Sequence, residues 1–348
     1  MQEISPEAIL PSQNFLKEKT VRYIFDCIAK EQLADLPPHP LVRKIITAGP
    51  KYSDIDVYGG ITAYAELLRK QGFEAQAVTT AKLNYSIPPL VRAWKVDLAR
   101  EYTPQPEDTY TLIDVSEPGY FEKFVDMERM DEIIDHHPGF EDFWQERIGD
   151  RALIEPVGAA CTQVAEKWEQ AGLIDQISET SARLLMCGIL DNTLNFGADI
   201  TTGRDHKAYA ILKKYANLPE DWPAQYFRDC QQVIVQDLAA SLKNDTKTPT
   251  LRTYPHPTAV GQLALWDAAA IAKESEEIFK QVISAIKSHW FMNAISISEK
   301  KSYFVTDVPE VKQWLSNLLN VKFVGNIAEA DRMWLRKEIF KADIDKLS

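Results

Sequence analysis

Three short apolar runs in this 348-residue chain end on acidic or imidazole side chains, with helical segments between them. Residues 42–48 read as a strand running into a loop that holds Asp54 and Asp56. Residues 109–113 read as a strand ending at Asp114, and residues 132–134 as one ending at Asp135-His136-His137. Residues 74–80 supply a further strand, and 61–70 an amphipathic helix closed by Gly72. Such alternation predicts an α/β fold, a parallel sheet with helices on both faces. A parallel sheet brings the carboxyl ends of its strands, and the side chains there, to one edge.

Downstream, residues 159–172 and 178–190 are helical, with Asp191 closing the second segment, and 209–242 is mostly helical. Pro249, Pro255 and Pro257 mark 246–257 as a linker. Beyond it come a strand at 259–266, one long helix at 268–287, strands at 291–297 and 302–306, and a helix at 310–319. The expected organisation is a helical extension at 1–40, a parallel-sheet catalytic domain at 41–245 and a smaller C-terminal α/β domain at 246–348. The extension ends at Leu36-Pro37-Pro38-His39-Pro40.

Fifty-one acidic against 39 basic residues give a net charge of −12, which argues against nucleic acid as the main partner. A small anionic substrate stays compatible, because bound cations invert the local field. No apolar run approaches 18 residues and no signal pattern opens the chain, so no membrane partner and a cytoplasmic location are expected. A homodimer is allowed. Cys27, Cys161, Cys187 and Cys230 lack metal-type spacing and read as buried reduced thiols.

Asp54, Asp56, Asp114, Asp135, His136, His137 and Asp191 all fall at element ends. Each has an ordinary reading: Asp54 as a helix cap, Asp114 in a turn, His137 as a bonded loop histidine, Asp191 as a C-terminal cap. Together they describe converging carboxylates, which repel and raise one another's pKa unless cations intervene. Two divalent ions resolve that conflict. Mixed carboxylate–imidazole ligation suits Mn²⁺, with Mg²⁺ favoured as carboxylates predominate.

Asp54-Ile55-Asp56, Asp114, Asp135-His136-His137 and Asp191 stand in the order of the four motifs of DHH-superfamily phosphoesterases, and this chain resembles them. The segments 60–72 and 155–162, Val260-Gly261-Gln262-Leu263, Asp245-Thr246-Lys247 and Leu335-Arg336-Lys337 are similar to those of family II inorganic pyrophosphatases and exopolyphosphatase or prune-type relatives. The resemblance runs from about residue 42 to the end. It implies a metal-dependent hydrolase of phosphoanhydride bonds, in pyrophosphate or short polyphosphate, working through a hydroxide that bridges two divalent ions, Mn²⁺ or Mg²⁺. It assigns one ion to Asp56, Asp114, His136 and Asp191, and the second to Asp54 and the shared Asp114. It makes Asp54 and His137 catalytic, and gives the phosphate oxygens to His137, Lys247, Arg336 and Lys337. It implies a metal-binding domain at 41–245 and a substrate-binding domain at 246–348, with the active site in the cleft between them.

The chain departs from the pyrophosphatase pattern at four places. Pro50 stands where the family has a histidine ligand, so the second ion is expected to be held more weakly. Val115-Ser116 replaces His-Asn, Leu335 replaces a serine, and Pro138 follows the histidine pair as in prune-like proteins. Competing readings are a phosphodiesterase or nucleotide phosphatase on the same catalytic domain, and a catalytically degenerate phosphate-binding member. The glycine-rich motif of the oligonucleotide-cleaving relatives is absent.

Overall fold

A computed structural model describes residues 42–84 and 86–346. The expected extension at 1–40, with Cys27, lies outside the described residues. From the first strand onward the chain alternates as its apolar pattern predicts. β1 (Lys44–Thr47), β2 (Tyr52–Ser53), α1 (Ile55–Lys70), β3 (Ala75–Val78), β4 (Lys82–Leu83), a single turn α2 (Pro89–Arg92) and β5 (Leu98–Ala99) come first. β6 (Thr109–Ile113), β7 (Met130–Asp135), α3 (Glu141–Ile148), β8 (Ala152–Ile154), α4 (Ala160–Gln170) and α5 (Glu179–Asn192) complete the first half.

Six of these strands form one sheet in the order β5-β3-β1-β6-β7-β8, with every pairing parallel. Successive strand residues point to opposite faces. Ile45 and Ile46, Leu112 and Ile113, and Ile133 and Ile134 are all fully buried, so both faces are covered. The chain builds outward from β1 in one direction through β3 and β5, then returns to lay β6, β7 and β8 on the other side. The reversal falls between β1 and β6, and open parallel sheets bind ligands beyond the carboxyl ends of the strands at such a point.

Three helices, α6 (Gly203–Ala216), α7 (Trp222–Gln236) and α8 (Leu238–Asn244), lead to a second sheet. It contains β9 (Thr246–Lys247) and β10 (Thr258–Leu265), then, after α9 (Ala269–Glu274) and α10 (Glu276–Ser284), β11 (His289–Ser296) and β12 (Lys301–Val305). α11 (Pro309–Leu319), the hairpin of β13 (Lys322–Val324) and β14 (Ile327–Ala330), and α12 (Arg336–Asp345) finish the fold. The sheet order is β13-β14-β12-β11-β10-β9, with only β10 and β11 parallel. Alternation splits its side chains between two cores. Trp290, Met292 and Val305 pack on one face, Phe291 and Phe304 on the other.

Several expectations need correction. The first long helix begins at Ile55, six residues early, because the Asp54 carboxylate accepts the Val57 N–H and caps it. Asp56 therefore lies in the first helical turn, not in the loop with Asp54. Asp191 lies inside the last turn of α5, which runs to Asn192. The long helix expected at 268–287 is two, broken at Ser275. The proline-rich linker opens with strand β9, paired with β10. The described residues from Arg43 onward form one compact unit, and we propose the division at 245/246. A core containing Ile55, Tyr58 and Leu190 from the first half also contains Ile295, Ile297 and Met333 from the second.

Candidate metal centre

The loops leaving β1, β6 and β7 and the end of α5 deliver the acidic and imidazole groups. β2 and β4 pair in parallel just before Asp54, and Asn84 N–H donates to the Ser53 carbonyl at 2.8 Å, so that loop is held in place. Asp114 follows β6 directly. Its N–H still bonds the Ile134 carbonyl at 2.9 Å, but its φ is 61°. A non-glycine residue in this left-handed region costs free energy, and such residues gather at functional sites.

His136 is buried, and its Nδ1 lies 3.0 Å from the Val157 carbonyl. A carbonyl only accepts, so Nδ1 carries the proton and Nε2 presents its lone pair. Burial lowers the pKa of His136, which keeps this neutral tautomer. Nε2 points at Asp114 Oδ1, 3.2 Å away, and at Asp56 Oδ2, 3.8 Å away. His136 Nε2 and Asp114 Oδ1 are both buried, and neither has a hydrogen-bond partner among the described residues. Two buried acceptors facing each other without a donor are costly, and a cation between them removes the cost. Ligand atoms of Asp114, His136 and His137 all lie within 4.8 Å of one another.

The carboxylates carry the same signal. Burial first, then the charge of Asp114, raises Asp54 to about 6 and Asp56 to about 7. Burial raises Asp114 to about 7, and burial with the charge of Asp54 raises Asp191 to about 7. Protein donors answer only part of this need. Asp56 accepts the Ala160 and Cys161 N–H groups at 2.8 and 2.7 Å, capping α4, and Asp191 accepts the Tyr226 hydroxyl at 3.0 Å. Carboxylates and a neutral imidazole converging at one place fit divalent ions of the Mn²⁺ or Mg²⁺ type.

His137 differs from its neighbour. Its Nδ1 bonds Asp135 Oδ1 at 2.8 Å, its side chain is 53% exposed, and Asp114 lies close. Burial opposes protonation, but the two carboxylates outweigh it and lift the pKa to about 9, so the ring is an imidazolium at neutral pH. Asp135 is committed to holding it, also accepting the His136 and His137 N–H groups.

Two adjoining cavities of about 390 and 450 Å³ share Asp54, His137 and Lys247, and the first also meets Asp191, Arg336 and Lys337. Lys247 and Lys337 are exposed and line the first cavity together with Asp54 and Asp191. Burial lowers the pKa of Lys337, and the Asp114 charge works against that change. Arg336 is placed differently from the two lysines. It is buried, and its Nη1 and Nη2 donate at 2.6 Å to the Asp245 carbonyl and Oδ1, with a further bond to the Val260 carbonyl. Much of its donor fork thus braces the segment that carries Lys247.

Sequence reasoning missed three positions. Asp205 is fully buried and holds the loop ahead of α4, accepting the Gly158 N–H at 3.1 Å and the Thr162 hydroxyl at 2.6 Å. Thr202 and Asp205 match a capping-box spacing that marks the helix start, though not this second role. Tyr226, which bonds Asp191, and Lys51, which lines the second cavity, gave no local signal. Gly188 is the other constraint: a Cβ there would lie 2.4 Å from Cys161 Sγ and 3.1 Å from Asp56 Oδ1. Gly188→Ala is expected to cost about 1–3 kcal/mol by overpacking and to loosen Asp56. Thermal melts with and without Mn²⁺ check this, and a metal-induced stabilisation equal to wild type would contradict it.

Fold and site together define a two-sheet α/β protein whose carboxylate–imidazole group, at the sheet's switch point, can hold metal. No family model matches the chain. Over 299 residues, 83% of this chain and 87% of the relative, it is 24% identical to the manganese-dependent inorganic pyrophosphatase of Methanothrix thermoacetophila. It is 23% identical over 248 residues, 70% of this chain and 78% of the relative, to a Bacillus licheniformis protein named probable manganese-dependent inorganic pyrophosphatase. A solved Methanococcus jannaschii structure, provisionally assigned as a family II inorganic pyrophosphatase, superposes with a TM-score of 0.60 at 19% identity. That match covers 87% of this chain and 99% of the other. The chain thus resembles the manganese-dependent, family II inorganic pyrophosphatases in sequence and shares a fold with the last of these. No helix among the described residues is long and apolar enough to cross a membrane.

Proposed function

We propose that this protein is a metal-dependent hydrolase of phosphoanhydride bonds, acting on inorganic pyrophosphate or short polyphosphate. The observation that carries the reading is the pair of buried acceptors, His136 Nε2 and Asp114 Oδ1, without a partner among the described residues. Asp114 lines one of two adjoining cavities, Lys337 the other, and Lys247 both. Asp56, Asp114, His136 and Asp191 would hold one divalent ion, and Asp54 with Asp114 a second. Bound there, such ions supply charge neutralisation and a nucleophile derived from water at neutral pH.

The chain's own groups do the rest. Lys247 and Lys337 attract and orient the phosphate oxygens as point charges. Arg336 fixes the Lys247 segment through Asp245. The His136–Val157 bond keeps the ligand nitrogen deprotonated. His137, oriented by the bond from its Nδ1 to Asp135, can turn Nε2 to a phosphate oxygen and donate to it as charge develops there. Pro50 brings no ligating side chain to the second position, so an ion there would be held the more weakly of the two.

The test is phosphate release from pyrophosphate, tripolyphosphate and a dinucleotide by protein loaded with Mn²⁺, Mg²⁺ or Co²⁺. Release from the anhydrides, dependent on metal and far above that from the dinucleotide, is the expected outcome. Silence on every phosphate chain with every ion sinks the reading.

A further inference from the structure

A third cavity, of about 680 Å³, opens beside the cleft. It shares Lys51 with one catalytic cavity and Asn84 and Asn244 with the other, so the three spaces adjoin. Its charged lining is Lys51, Lys82, Arg92 and Arg100, and no carboxylate lines it among the described residues. In a chain of net charge −12, four cations without an acid are not what chance composition supplies.

The local fold explains how they meet. β2 and β4 pair in parallel, aligning Tyr52 with Lys82, and so place Lys51 and Lys82 near one end of the same two-stranded sheet. Arg92 donates to the Ile87 and Asn84 carbonyls, and Arg100 to the Ala81 carbonyl. These bonds fix the guanidiniums without neutralising them, since a carbonyl carries no net charge. Tyr58, one helical turn beyond Asp54, lines the same cavity within electrostatic reach of both arginines.

We propose that this basic annex binds the phosphates of a substrate that lie beyond the two at the metal centre, so that chains of three or more phosphates are preferred to pyrophosphate. The inference rests on the hydrolase reading above and deepens it. Pyrophosphate is spanned by the metal centre, Lys247 and Lys337. A third phosphate needs further cations, and the annex supplies them next door. Guanidiniums bind phosphate bidentately, and the lysines add attraction that salt weakens. Inorganic polyphosphate and a nucleoside triphosphate both present such a chain.

The experiment compares pyrophosphate, tripolyphosphate and ATP as substrates of Mn²⁺-loaded protein. Calorimetric titration with non-hydrolysable imidodiphosphate and imidotriphosphate accompanies it. Lys82→Gln with Arg100→Gln is expected to weaken the three-phosphate ligands by about tenfold, while pyrophosphate and imidodiphosphate stay within about twofold. Lys82→Gln alone, at an exposed position, gives the same direction with less risk to the loop that Arg100 braces. Loss on tripolyphosphate identifies the inorganic chain, and loss confined to ATP identifies the nucleotide; either supports the annex. Equal effects on pyrophosphate and tripolyphosphate, or none on any ligand, overturn it. If no substrate releases phosphate, the hydrolase reading fails, while the imidotriphosphate titrations still judge the annex.

Discussion

Asp114→Asn should lower metal-dependent phosphate release by at least about a thousandfold and at the same time make the metal-free protein more heat-stable. The two effects have one origin. Asp114 is the carboxylate whose charge raises both Asp54 and Asp56, and its Oδ1 faces His136 Nε2 at 3.2 Å. Removing that charge removes repulsion from the empty centre and, equally, the attraction that would hold a cation between the side chains. Asparagine keeps the size of the side chain and accepts the backbone angle of 61°, so the fold should survive. Turnover, bound-metal counting and a melt without metal check the prediction. Turnover within tenfold of wild type would remove Asp114 from the centre.

Stripped of metal, the protein should lose stability as pH rises from about 4 to about 8. Asp54, Asp56, Asp114 and Asp191 sit above the ordinary carboxylate value of 3.8, at about 6 for the first and about 7 for the others. A group with a raised folded pKa binds more protons folded than unfolded, so its contribution is full below the unfolded value and lost as pH climbs to the folded one. His137, raised to about 9, adds to the loss above neutrality, while His136, lowered by burial, works in the opposite direction. A tenfold difference in proton affinity between the folded and unfolded chain corresponds to about 1.4 kcal/mol. The four raised carboxylates owe their pKa values largely to burial and mutual repulsion, so their contributions overlap and do not sum. A fall in Tm on the order of 10 °C is expected. Saturating Mn²⁺ should restore it at pH 8 and do little at pH 5. A flat Tm profile in chelator would mean that the carboxylates do not converge.

Much of this was legible in the sequence because strand-forming segments are short, apolar and end on polar residues. β1, β6, β7, β10 and β11 emerge within a few residues of where periodicity puts them. The order Asp54, Asp56, Asp114, Asp135-His136-His137, Asp191 carried the resemblance. What the sequence withheld was orientation. Nothing local tells Asp56 to turn its carboxylate to the Ala160 and Cys161 N–H groups, or Arg336 to spend its fork on Asp245. Those choices depend on partners about a hundred residues away. The break at Ser275 and the short pairing of β2 with β4 were also invisible, because two-residue strands and a single helix interruption leave no periodic trace.

The positive φ at Asp114 limits what evolution can write at that position. Backbone in this region admits glycine freely and, among residues with a side chain, favours asparagine and aspartate. The sharing of two ions proposed for this position demands a carboxylate. Glutamate meets the second requirement but fits the first poorly, while glycine and asparagine meet the first and fail the second. One residue lies in the overlap, so at Asp114 conformation and chemistry together leave the genetic code a single good choice.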